Sequence, residues 1–229
     1  MYNPNADESP FNPLPTVVIA LAMVISAVEI VLQAGESGLV GGPGAIGWRI
    51  DAMQDYAFIP ALWDAMLQQG LFPLEHMMRF VTYPFIHGSF THAAFAVVIV
   101  LAIGKVVGEV FSTFAFLAMF FVSAIFGALV MALITDSASP LVGAYPGAYG
   151  LIGGFTFLLW VQLTQLGQDG KSAFTLVGVL LGIQLVFAMI FGGGLDWIAD
   201  LAGFISGFLL SFIVSPGGWA RVLAKLRKR

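Results

Sequence analysis

Cysteine is absent from all 229 residues, which removes disulfides, thiolate nucleophiles and cysteine-ligated zinc or iron-sulfur centres, and leaves the redox compartment open. Charge is scarce as well: Asp, Glu, Lys and Arg make up 10% of the chain against 59% hydrophobic residues. A soluble globule of this size needs more polar surface than that, so the chain is expected to be solvated by lipid. No basic patch points to nucleic acid, and the net charge of -4 says little about partners, because in a membrane protein the positions of the charges matter more than their sum. Residues 1–14 hold no Lys or Arg and include Asp7 and Glu8, so the first apolar run reads as a retained span rather than a cleavable signal. No linker interrupts the chain, and a single domain over 1–229 is expected.

What is present is a succession of apolar runs. A bilayer core of roughly 30 Å takes about 20 helical residues. Six runs of that order are bounded by Pro, Gly or charge, near 15–34, 84–107, 113–134, 146–164, 173–191 and 197–214. The expectation is an all-α membrane protein of six transmembrane helices. Between the first two runs lies a long segment, Gly35 to about Arg79, too polar and too broken by Pro and Gly to cross. Its aromatic content, Trp48 and Trp63 included, and its stretch from Phe58 to Leu62 suit an ordered loop in the membrane interface, with Trp48, Arg49 and Arg79 as its marked residues.

Orientation follows from the basic residues. Arg221, Lys225, Arg227, Lys228 and Arg229 crowd the tail at 215–229, which is therefore expected to be cytoplasmic and to contact headgroups. Six crossings put the N-terminus on the same side, and Lys105 and Lys171 fall there too. His87, His92, Tyr145 and Asp200 then gather near the outer face, contributed by three distant stretches of sequence. Polar groups at membrane depth are costly and tend to face one another or water, so this polar cluster is the candidate site. Glu29, in the outer third of the first span, reads as a side chain that lines a cavity or, in preference, snorkels to the nearby interface, and Lys105 and Glu109 are spaced to pair along a helix.

Three local patterns carry more information. The first runs Arg79-Phe-Val-Thr82-Tyr-Pro-Phe-Ile-His87-Gly-Ser-Phe-Thr-His92, the second Gly143-Ala-Tyr145-Pro146-Gly147-Ala-Tyr149-Gly150-Leu-Ile-Gly153, and the third Ala199-Asp200-Leu-Ala-Gly203-Phe-Ile-Ser-Gly207. In order and spacing they resemble the rhomboid family of intramembrane serine proteases, over the second to sixth spans. The resemblance implies a six-helix bundle, a serine nucleophile at the third position of the second pattern, a histidine base at the second position of the third, and an oxyanion site made by the second histidine and an asparagine four residues beyond it. Of the polar set the chain keeps only the two histidines of the first pattern. Tyr145 stands at the nucleophile, Pro146 at the glycine after it, Asp200 at the base and Ala96 at the asparagine, while His87 and His92 are retained.

A tyrosine hydroxyl with a reference pKa of about 10 is a poor acyl acceptor, and its ring fills space a substrate carbonyl would need. A carboxylate is a weak base, and proline has no N–H to offer an oxyanion. Glycine spacing argues against a misalignment: Gly147, Gly150 and Gly153 follow Tyr145, and Gly203 and Gly207 follow Asp200, in the family's register. With Gly143, these residues read as helix-packing contacts. Ser137 and Ser139 are the nearest other hydroxyls, in the preceding loop. A metal site from His87, His92 and Asp200 is not expected, because a five-residue spacing does not put both rings on one helix face; no cofactor is implied. A phenol-to-carboxylate hydrogen bond from Tyr145 to Asp200 is one expectation; separate solvation of the two groups is the other.

The resemblance therefore implies a pseudoprotease that binds transmembrane client segments, keeping the lateral entry of the family without its hydrolysis. The alternatives are an intramembrane endopeptidase with Tyr145 as nucleophile and Asp200 as base, and a transporter or channel. The last is disfavoured by the lack of charges spaced through the bilayer depth. A bacterial inner membrane is the expected setting, with the altered site facing outward.

Overall fold

The computed structural model describes residues 13–191 and 194–217, so the basic tail beyond residue 217 lies outside it. Every regular element in this part is helical. Five helices among the described residues are long and apolar enough to cross a membrane: α1 (Thr16–Glu36), α6 (Phe90–Val110), α7 (Thr113–Ile134), α8 (Tyr145–Gln165) and α10 (Asp196–Val214). Helix α9 (Thr175–Phe191) occupies the fifth of the six expected runs, but at 17 residues it is shorter than the others.

The segment between α1 and α6 is built of short helical pieces. A 3-10 turn (Gly42–Gly47) leads into α2 (Trp48–Tyr56), α3 (Pro60–Gln69), α4 (Leu74–Met77) and α5 (Arg79–Thr82), and a further 3-10 turn (Tyr83–Phe85) precedes α6. Gly41, at φ +76°, turns the chain beneath the Trp48 indole, which also covers Gly35; a side chain on either glycine would run into that ring. A backbone bridge between Phe58 and Leu141 ties the segment to the loop ahead of α8. Phe58, Phe80 and Tyr83 bury their rings against Ala124, Ala128 and Met131 of α7.

The second apolar run begins later than its composition suggests. Pro84 sits in a 3-10 turn and Gly88 follows, so the α-helix starts only at Phe90, where the Ser89 hydroxyl accepts from the His92 N–H at 3.2 Å. His87 therefore precedes the helix and His92 lies in its first turn. At the far end of α6, Lys105 and Glu109 pair at 2.9 Å.

Helix α8 is the centre of the bundle, packed against α10, α7 and α6, while α1 lies on α6. Its contact with α10 is backbone to backbone. A methyl built on Gly207 would overlap the Gly150 carbonyl, one on Gly203 the Pro146 carbonyl, and one on Gly153 the backbone of Phe204 and Phe208. On the side facing α7, Gly150 meets Ser123, and Gly147 lies 2.7 Å from the Phe120 ring if given a Cβ. Small residues permit this approach where lipid supplies no hydrophobic driving force between helices. Gly143 belongs elsewhere: it lies in the loop before α8 at φ +96°, against the imidazoles of His92 and His87, and takes no part in helix packing.

Replacing Gly207 by alanine is expected to push α10 off α8 and cost about 1–3 kcal/mol. Thermal melting in detergent measures this, with Gly178→Ala, at an open position of α9, as the neutral control.

Candidate functional site

The site is assembled from the start of α6, the loop and first turn of α8, and the first two turns of α10. Proline at the first turn of α8 suits a helix start, since its missing N–H would be unpaired there anyway. The N-cap residue Ala144 has no side chain with which to cap; its own N–H is instead accepted by His87 Nε2 at 3.2 Å. Just before it, the Gly143 N–H is accepted by the Tyr83 carbonyl at 3.1 Å.

His87 is fully buried and held at both ends of the residue. Its carbonyl accepts from Arg49 Nη1 at 2.7 Å, and its ring accepts from Ala144. Arg49 is itself buried and clamped by Glu29, with Nη2–Oε1 at 2.8 Å and Nη1–Oε2 at 3.0 Å, and its Nε donates to Glu36 at 2.9 Å. Glu29 hydrogen bonding raises the guanidinium's proton affinity against the opposing effect of burial. The snorkelling expected of Glu29 is thus overturned: only 3% of it is exposed, because a bidentate cation is within reach from the next segment. A continuous polar chain runs from α1 through Arg49 and His87 to the first turn of α8.

His87 and His92 are neighbours in space, with ring centroids 5.3 Å apart. The expectation that their spacing separates the rings fails because His87 is not on the helix. The His92 ring in turn stacks on Tyr145, 4.7 Å between centroids and 15° between planes. No group of three His, Cys, Asp or Glu among the described residues is arranged to hold a metal ion.

The Tyr145 hydroxyl donates to the His92 carbonyl at 3.1 Å, so its single proton is not offered to Asp200. Asp200 Oδ2 accepts from Gln184 Nε2 at 2.6 Å, and Gln184 Oε1 accepts from the Tyr149 hydroxyl at 3.1 Å. The direct phenol-to-carboxylate bond is replaced by these two separate ties. Among the described residues Asp200 Oδ1 has no hydrogen-bond partner, although Asp200 is only 2% exposed. It lines a cavity of about 250 Å3 together with His92, Tyr145, Pro146, Gln184 and Asp196. Ala96 is buried in the core one turn beyond His92 and presents only a methyl group. Ser137 and Ser139 stay in the loop, where the Ser137 hydroxyl accepts from the Ser139 N–H.

The marked loop residues hold the segment in place. Arg79 is buried and donates to the Ala57 carbonyl at 2.9 Å, the Thr82 hydroxyl donates to the Tyr56 carbonyl at 3.0 Å, and Trp48 covers Gly35 and Gly41 as above. Gln184, Tyr149 and Asp196 also take part in the site and do not stand out in the sequence patterns above. The signal was available for Gln184, a lone amide within an otherwise apolar helix.

These helices, with glycine-packed α8 and α10 meeting beneath a polar cavity, define an intramembrane bundle of one known class. Residues 74–217 match the rhomboid domain model, more than half of the chain, and the protein belongs to the rhomboid family. It is similar to rhomboid-like protease 3 of Toxoplasma gondii, 31% identical over 134 residues, which cover 58% of this chain and 50% of that protein. Rhomboid-like protease 1 of the same organism is 25% identical over 153 residues, 67% of this chain and 50% of its own length. The chain thus spans about half the length of these curated relatives. Membership and the apolar helices make it an integral membrane protein.

Two measurements probe the polar chain. Burial, the neighbouring His92 and the Arg49 charge lower the His87 pKa to about 4 from its ordinary 6.5. Between those values the unfolded chain takes up a proton that the folded one does not, so stability falls as pH drops through that window. Melting curves across that pH range are expected to show the loss, and His87→Gln to remove its share. Separately, Glu29→Ala strands a buried guanidinium and is expected to cost about 3 kcal/mol, while Glu29→Leu with Arg49→Met recovers much of it; a double-mutant cycle of melting temperatures reads the coupling.

Proposed function

We propose that this chain is a rhomboid-like pseudoprotease, which binds transmembrane segments of client proteins without cleaving them. One observation carries the reading. The hydroxyl at the nucleophile position is committed to the His92 carbonyl, while the carboxylate at the base position is committed to Gln184, so no nucleophile and base face each other. Acyl transfer needs that pair within hydrogen-bond reach and donors aimed at the developing oxyanion. Pro146 has no N–H to supply, and Ala96 has no side-chain amide. The stacked Tyr145 ring also occupies the approach beside His92.

The proposed setting is six crossings, with α9 as the fifth. Its 17 residues reach about 25 Å, enough for a thin or locally adapted bilayer. Both termini then lie in the cytoplasm of a bacterial cell, the cavity opens toward the outer face of the inner membrane, and the segment from α2 to α5 lies in the interface. The exposed apolar faces of α1, α6 and α9, such as Met23, Phe95 and Val179, suit lipid or a client helix. A second reading, an endopeptidase with an altered centre, draws on the similarity to proteins named rhomboid-like proteases.

The two readings part in one assay. A labelled transmembrane substrate in proteoliposomes is expected to stay intact with the wild type, and Tyr145→Ser combined with Asp200→His is not expected to gain activity while Pro146 remains. Cleavage by the wild type that is lost in Tyr145→Phe would falsify the pseudoprotease reading.

A further inference from the structure

The cavity beside Asp200 carries two carboxyl groups and no cationic side chain in its lining. Its polar lining is His92, Tyr145, Gln184, Asp196 and Asp200, with no Lys or Arg among them. The Tyr145 proton is spent on the His92 carbonyl, and the Gln184 amide is already engaged with Asp200. Asp200 Oδ1, by contrast, is buried and accepts no hydrogen bond among the described residues. Asp196 stands one turn earlier on the same helix, at an exposed position, so the entrance and the wall of the cavity both carry carboxylates. Spacing of four residues puts them on one face of α10.

A buried carboxylate oxygen without a partner is costly unless a donor reaches it. The most complementary donor is a cation, because it pairs and hydrogen-bonds at the same time. The volume of about 250 Å3 exceeds what a single water needs and accommodates the end of a long side chain. A lysine or arginine within a transmembrane helix has the matching problem, a charge held in hydrocarbon with nothing to satisfy it.

We propose that this cavity is a recognition pocket for a basic side chain, the ammonium of lysine or the guanidinium of arginine, presented by the transmembrane segment of a client. Asp200 Oδ1 accepts from the cation, and Asp196 attracts it at the entrance. Gln184, anchored by Tyr149, positions the Asp200 carboxyl so that one oxygen remains free. The inference rests on the client-binding reading and adds to it what the client carries.

The test uses three synthetic transmembrane helices of polyleucine in proteoliposomes, identical except at one position five residues from an end, which holds Lys, norleucine or Glu. Binding to the full-length protein is read by energy transfer between labels, with the variable residue tested near either end of the helix. The lysine helix is expected to bind the wild type at least 10-fold more tightly than the norleucine helix, and the glutamate helix more weakly than both. Asp200→Asn is expected to abolish most of the lysine preference, bringing lysine and norleucine binding to within about 2-fold of each other. Equal binding of the three helices to the wild type overturns the pocket but leaves client binding standing. Absence of binding by any helix overturns both. Since the comparison of helices on the wild type decides the matter, a poorly folding Asp200→Asn does not block it, and Asp196→Asn then supplies the second variant, with an intermediate loss of preference expected.

Discussion

The contact between α8 and α10 is the constraint on which the rest of the molecule depends. The Gly150 carbonyl faces Gly207 and the Pro146 carbonyl faces Gly203 with no room for a single added carbon. At that separation the N-terminal turns of the two helices bring Tyr145 and Asp200 into the lining of one cavity. Ser211 of α10 lies beside this seam, its hydroxyl 2.7 Å from the Gly207 carbonyl of its own helix and 3.5 Å from Met119 Sδ of α7. Interhelical attraction here is dispersion between backbones, the form available when lipid and side chains are equally apolar.

Within this scaffold the polar groups have been redistributed rather than removed. Tyr145, Tyr149, Gln184 and Asp200 form ties among α6, α8, α9 and α10, and His87 serves the loop that launches α8. Each tie satisfies a polar atom that would otherwise be costly at membrane depth. His87 has an evident structural reason to persist whatever the chemistry of the site, because its ring accepts an N–H that the N-cap residue Ala144 has no other way to satisfy.

Much of this was legible in the residues, and the exceptions have physical causes. Apolar length marked the crossing helices, and glycine spacing marked the α8–α10 seam, since both are properties of one segment read along its own axis. The start of α6 was misplaced because an apolar composition continues through the 3-10 turn at Tyr83–Phe85, where proline and Gly88 delay the helix. Glu29 was misassigned because its partner, Arg49, belongs to a different element, and pairing across elements leaves no periodic trace. The same holds for Gln184, whose amide is conspicuous in α9 but whose two partners, on α8 and α10, become apparent only in three dimensions.

The pairing of Glu29 with Arg49 has a consequence for biogenesis. The two residues are separated by 20 positions, so the cation leaves the ribosome soon after the carboxylate, roughly one to four seconds later at usual synthesis rates. A membrane-inserted α1 carrying Glu29 therefore carries an unmatched charge only briefly. Its neutralising arm is complete before α6 has been translated, and long before the glycine seam exists. The His87 carbonyl then joins an ion pair that is already formed.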